Sequence, residues 1–253
     1  MLQQLLTADL FSFAIAFVRI GAAMMLIPGI GESYIPPRVR LSIALALTVL
    51  LVPVVKPMLP ALPADPMSLT LLMLNETMVG IFIGLAARLI LSGLQVAGTV
   101  IAFQSGLGMA NFFDPTQGTQ GQMVASFLGI LGLVLIFATN LHLLMLRAVA
   151  DSFTVFPPNA LPPLGDFARM AVDFVSGSFR LGVQFAAPFI AYGIVFQTGL
   201  AVINRLMPQV PVSIVAVPLQ IFLAFMLLSV TLAVGMSWFL GYYEAGAAHF
   251  LKN

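Results

Sequence analysis

An all-α, polytopic membrane protein of about six apolar, partly broken helices is the fold class that the sequence predicts, on three observations. Of 253 residues, 60% are hydrophobic and 8% are charged. An ordinary soluble domain is roughly a quarter charged, so a water-facing surface cannot be built from this inventory. The mean hydropathy is +1.08. The apolar residues also fall into runs, several near the ~20 residues that cross a hydrocarbon core, divided by proline-rich or polar segments.

The first run, Leu10 to Ile27, lies between Asp9 and Pro28-Gly29. No basic stretch precedes it, so it reads as a retained helix rather than a cleaved signal. Pro36-Pro37 then break helicity and set Arg38 and Arg40, read as interfacial anchors, beside a shorter run, Leu41 to Val52. Pro53, Pro57, Pro60, Pro63 and Pro66 predict a stiff extended connection, because each fixes its backbone and lacks an amide donor. A third helix is predicted from Ser68 to Phe103; its Asn75, Glu76, Arg88 and Gln95 imply partial shielding from lipid. Met123 to Leu146 is uncharged and reads as a plain spanning helix, closed by Arg147 as a cation at its C-terminus. FPPNALPPLGD is a loop leading into an amphipathic helix start, followed by the apolar run Leu181 to Ile203 with Pro188 inside it. After Arg205 and PQVP, the last run spans Pro211 to Leu240 and contains Pro218 and Gln220. Lys and Arg are spread over alternate loops, so charge bias does not decide orientation.

Composition also excludes function classes. A net charge of +1 with ten dispersed Lys/Arg gives no footprint for nucleic acid. The absence of cysteine removes disulfides, thiolate metal sites and cysteine nucleophiles. Asn140 and His142 lie close together, but no third ligand-type residue accompanies them, so a helix-to-helix hydrogen bond is expected rather than a metal site. Glu76, Asp114 and His142 are the plausible acid or base groups, and no nucleophile-base spacing links them. No enzyme activity, cofactor or metal is expected. Arg19, Glu76 and Arg88 sit in or near apolar helices, where a charge needs a partner or water; they are expected to make inter-helix or inter-subunit polar contacts. Gly80 and Gly84 form a G-x-x-x-G face suited to close helix approach. A small-molecule secondary transporter is the alternative, suggested by broken helices and buried charge, but no repeated halves are visible.

The segment GLGMANFFDPTQGTQGQMV, Gly106 to Val124, is too polar and glycine-rich to lie in lipid. Non-helical backbone at membrane depth must be buried in protein or line a water-filled cavity, so the segment is either an external loop or a pore-lining element. Thr119 and Gln122 form a capping box before the next helix, and Asp114-Pro115-Thr116 has turn chemistry. No Lys follows the glycines, which excludes a phosphate-binding loop.

Four segments together resemble a known family. They are FAIAFVRIGAAMMLIPGIGESYIPPRVRLSIALALT, AGTVIAFQSGLGMANFFDPTQGTQGQMV, FATNLHLLMLRAVADSFTVFPP and VPVSIVAVPLQIFLAFMLL. In this order, over nearly the whole chain, they resemble the FliR flagellar biosynthesis proteins and their injectisome counterparts, which are export-gate subunits of type III secretion systems. NLHLLMLRAVADSFTVFPP looks like the flagellar branch. The resemblance implies one export-gate membrane domain over residues 1–253, assembling with FliP and FliQ and contacting FlhB. It also implies passage of unfolded flagellar chains, and a place at the flagellar basal body in the bacterial inner membrane, raised toward the periplasmic side, with helices packed on partner subunits as well as lipid. The loop matching 106–122 would act as a plug carried by Gly106, Gly108, Met109, Phe112, Phe113, Asp114, Pro115, Gly118 and Gly121. The two phenylalanines would narrow or dewet the passage, and the glycines would let the loop move aside.

Overall fold

The computed structural model describes residues 2–107, 120–158, 160, 164–209 and 212–251. These residues form seven α-helices: α1 Leu2–Met24, α2 Pro37–Val55, α3 Pro66–Gln104, α4 Gln120–Ala138, α5 Leu141–Val155, α6 Leu164–Leu206 and α7 Val212–Ala248. No strand occurs among the described residues. Four helical stretches, Pro37–Met58, Pro66–Gln104, Leu164–Leu206 and Ala216–Ala248, are long and apolar enough to cross a membrane, and α4 with α5 makes a fifth if that bent pair counts as one. The chain is a polytopic, all-α membrane protein.

Local chemistry explains where the helices start. Pro37 opens α2 as its first helical residue, where its fixed φ is already helical and its missing N–H is one the first turn does not need. Asp65 caps α3: its carboxylate accepts from the Ser68 backbone N–H and hydroxyl, both at 3.1 Å, which satisfies a donor that the helix leaves open.

Three elements differ from expectation. The extended proline connection begins later than predicted, because Pro53 lies inside α2 and Lys56–Met58 adds a 3-10 turn before the backbone extends at Leu59. A proline's fixed φ is itself helical, and this one removes a single amide bond in the last turn. The predicted span from Met123 to Leu146 is not one straight helix, since α4 and α5 are bent by 75°. The bend sits at Asn140, which has φ 61° and ψ 15°; asparagine is among the few residues that tolerate this left-handed conformation. Arg147 therefore does not close a helix. It lies inside α5, with its Nε 3.6 Å from Asp151 Oδ2 one turn on.

The chain divides into two compact units: Met1–Ile90 with Ile136–Phe174 and Tyr243–Asn253, and Leu91–Leu135 with Val175–Tyr242. In the first, α1 buries Phe11, Ile15, Ala16, Ile20, Ala23 and Met24; Ile15 follows Phe11 by four, Ile20 follows Ala16 by four, and Ala23 and Met24 follow Ile20 by three and four, the spacing of one helix face. Gly80 and Gly84 bring α3 against that face. A Cβ on Gly80 would collide with the Arg19 carbonyl, and one on Gly84 with the Ala23 carbonyl, so the G-x-x-x-G pair sits at a backbone-to-backbone contact. Aromatic rings fill the same unit: Phe82 stacks on Phe167 at 4.0 Å, and Phe156 meets Phe167 edge-on at 5.1 Å. In the second unit, small residues again set close approach, with Gly98 of α3 against the Ala125 backbone of α4, and Gly182 of α6 against Val96 and the Gly93 carbonyl.

Gly84→Ala is expected to destabilise the chain by about 1–3 kcal/mol, the usual cost of overpacking. Gly241→Ala, where a Cβ would meet open space, is expected to be neutral or stabilising by about 0.5–1 kcal/mol. Denaturant unfolding of the two variants in detergent checks the contrast.

Candidate functional site

Among the described residues, two polar clusters are embedded in otherwise apolar helices, one in each unit. The first is built on Arg19. Its guanidinium and the Glu76 carboxylate are both shielded from solvent, at 1% side-chain exposure each. Arg19 Nε donates to Glu76 Oε2 at 2.6 Å and Nη2 to Oε1 at 2.9 Å, a two-point fork on both carboxylate oxygens. The rest of the guanidinium faces the end of α5. Nη1 donates to the Ser152 carbonyl at 2.9 Å and approaches the Ser152 hydroxyl at 3.3 Å, while Nη2 donates to the Phe156 carbonyl at 2.9 Å. The carbon centre lies 4.2 Å from the Phe153 ring centroid, within range of a cation-π contact. Five N–H donors have five acceptors. Two of those acceptors are carbonyls at the C-terminal end of α5, that of Ser152, which also accepts from the Phe156 backbone N–H at 2.8 Å, and that of Phe156, the residue after the helix, where partial negative charge accumulates. Arg19 thus ties α1 to α3 and caps α5.

The second cluster lies where α3 ends. Gly106 follows the helix with φ +81°, the left-handed conformation in which a glycine commonly ends a helix. Gln220 of α7 is 5% exposed, and its Nε2 donates to the Gln104 carbonyl at 2.9 Å. The Gln220 carbonyl in turn accepts from the Tyr192 hydroxyl of α6 at 2.9 Å. A Cβ on Gly106 would lie 3.0 Å from Gln220 Oε1, and Gly193 makes room for the Gln104 side chain. Beside this cluster, Leu107 and Val124 line one apolar recess with Ile101, Ala224, Phe225 and Leu228.

The residues expected to form a plug are placed unevenly. Gly106 is at the root just described, and Gly121 lies in the first turn of α4. Gly108, Met109, Phe112, Phe113, Asp114, Pro115 and Gly118 lie outside the described residues. Arg88 is half-buried and pairs at 3.4 Å with Glu32, a carboxylate that was not singled out from sequence. Among the described residues, the side chains of Asn140 and His142, expected to make inter-helix or inter-subunit polar contacts, have no inter-helix hydrogen bond. Asn140 is exposed and makes no side-chain cap bond. His142 stacks on Phe137 at 4.8 Å, and its buried Nδ1 has no hydrogen-bond partner among the described residues. No group of three or more His, Asp or Glu able to hold a metal occurs among the described residues.

The family model described as bacterial export proteins, family 1, matches residues 10–246. The chain belongs to that family. Among similar curated proteins are three named flagellar biosynthetic protein FliR. That of Caulobacter vibrioides is 38% identical over 226 residues, which are 89% of this chain and 90% of the relative. That of Bacillus subtilis is 32% identical over 231 residues, 89% and 88% of the two chains. That of Escherichia coli is 27% identical over 208 residues, 81% and 77%. In this bacterial export protein, Ser152, Gln104, Tyr192 and Gln220 are the cluster residues that sequence reasoning did not assign a role. Gln220 carried a signal, since a lone amide in a 30-residue apolar run needs an acceptor from another helix.

Arg19→Met leaves the Glu76 carboxylate buried without its partner and is expected to cost about 3–5 kcal/mol, as is Glu76→Leu. The double variant should cost well under the sum. A double-mutant cycle from unfolding in detergent measures the difference; strict additivity would show that the two side chains do not act as a pair.

Proposed function

We propose that this chain is a non-enzymatic core subunit of the flagellar type III export gate in the bacterial inner membrane, forming part of the channel for unfolded flagellar proteins. The observation that carries the proposal is membership of an export family over residues 10–246. The relatives' name, flagellar biosynthetic protein, supports the flagellar assignment. The partners proposed from the family resemblance are FliP, FliQ and FlhB, in an assembly raised toward the periplasmic side.

The exposed surface supports a subunit role. In the most apolar windows of α2, α6 and α7, 17% of residues are buried inside the chain, whereas 61% are in α3. Three helices thus leave most of their apolar surface to lipid or other subunits. Lipid satisfies an apolar face as well as protein does, so close helix association in a membrane relies on small residues and polar contacts. The exposed faces are available for both.

Residues 106–122 are proposed as the plug of the channel. They follow the end of α3, where the Gln104 carbonyl accepts from Gln220 of α7, and their composition is suited to water or protein rather than lipid. Phe112 and Phe113 supply bulk that narrows or dewets a passage. Deleting residues 108–119 should leave assembly with the partner subunits intact and make the reconstituted gate leak small ions. Conductance indistinguishable from the unaltered gate would end the plug assignment.

A further inference from the structure

Length and charge set α2 apart from the other long apolar helices. Its 19 residues measure about 28 Å at the helical rise, close to the ~30 Å of a hydrocarbon core. By contrast α3, α6 and α7 have 39, 43 and 37 residues and far exceed it. Both ends of α2 carry basic residues, but only one end is neutralised. At the C-terminal end Lys56 pairs with Asp9 at 2.5 Å. At the N-terminal end Arg38 and Arg40 follow a turn closed by the Ile35 N–H on the Glu32 carbonyl, and Arg88 reaches that turn from α3. The one carboxylate there, Glu32, is taken by Arg88. Arg40 donates its Nε to the Ile35 carbonyl at 3.0 Å, and neither Arg38 nor Arg40 has an ion pair among the described residues. Three cations thus face one anion.

We infer that the exposed face of α2 is a docking site for an anionic phospholipid, with the headgroup on Arg38 and the acyl chains along Leu45 and Val49. These two residues lie seven and eleven positions beyond Arg38, on its own face of the helix, and are 38% and 61% exposed. The buried positions Ala44, Thr48 and Val55 point to another side. From Arg38 to Val49 is about 16 Å, roughly half of a hydrocarbon core and so one leaflet deep. A guanidinium matches a phosphate in two-point geometry, while Arg40 adds positive potential beside it. The excess of positive charge repels the ammonium of a zwitterionic headgroup and selects a lipid with net negative charge. The inference goes beyond the export-gate proposal and does not depend on it, since it requires only that α2 meets lipid.

The chain has one tryptophan, so Trp238→Phe combined with Leu45→Trp puts the only indole on the proposed face. The full chain carrying this pair is reconstituted in vesicles containing brominated phosphatidylglycerol or brominated phosphatidylcholine, and quenching of its emission is compared. At low ionic strength phosphatidylglycerol should quench as though bound about 5- to 30-fold more tightly, and added salt should reduce that ratio. Arg38→Gln should lower it about 5-fold, Arg38→Gln with Arg40→Gln should bring it close to one, and Lys56→Gln should leave it unchanged. Equal quenching by the two lipids, or a ratio that survives Arg38→Gln, overturns the inference. A Lys56→Gln variant that loses as much as Arg38→Gln also overturns it, because the preference is then one of total charge. Quenching by neither lipid shows a face covered by protein and has the same effect. If the double arginine variant does not fold, Arg38→Gln decides alone, since Arg38 has no side-chain hydrogen bond among the described residues that its loss would break. Val49→Trp replaces Leu45→Trp if that probe prevents insertion.

Discussion

A guanidinium buried among apolar helices brings five N–H donors to a place where water does not satisfy them, and each donor left open costs free energy. At Arg19 that requirement organises a whole unit. Two acceptors come from Glu76 of α3, and three come from Ser152 in the last turn of α5 and from Phe156 just after it. Removing any partner leaves the others uncompensated, because a buried ion pair is worth little net but is expensive to break. The pair thus serves specificity more than raw stability. It defines which faces of α1, α3 and α5 meet, while Gly80 and Gly84 allow α3 to reach α1 closely enough to make the fork.

The same constraint recurs at the end of α3 with neutral groups. Gln220 and Tyr192 are polar side chains on helices otherwise suited to lipid; the Tyr192 hydroxyl donates to the Gln220 backbone carbonyl, and the Gln220 side-chain amide donates to the Gln104 carbonyl. Both clusters place a side chain from one helix on carbonyls at the C-terminal end of another. This is economical in a membrane, where orphan carbonyls and stranded polar side chains are each other's natural partners. His142 stands apart: its buried Nδ1 has no partner among the described residues, next to the bend at Asn140.

Much of the fold was legible in the sequence. The apolar runs and their proline and polar breaks located most helices, since hydropathy and helix-breaking chemistry are local properties. Charge inside an apolar run marked Arg19 and Glu76 as needing partners, but not each other, because 57 residues separate them. Asn140 misled the periodic pattern: the run from Met123 to Leu146 is uncharged, and nothing in its hydropathy marks a residue in the left-handed region.

What the sequence determined by itself is the class of molecule: a chain of apolar helices with few charges, a polar glycine-rich segment between two of them, and a family pattern over nearly its whole length. Tertiary structure alone decided how the polar exceptions are used. Arg19 became the cap of α5 because the donors of one guanidinium had to be matched to acceptors from two helices distant in sequence. Gln220 came to rest on Gln104 and Gly106 because an amide in an apolar helix must find its acceptor across space. Hydropathy is additive along the chain and can be read there, whereas hydrogen-bond satisfaction depends on which helices meet.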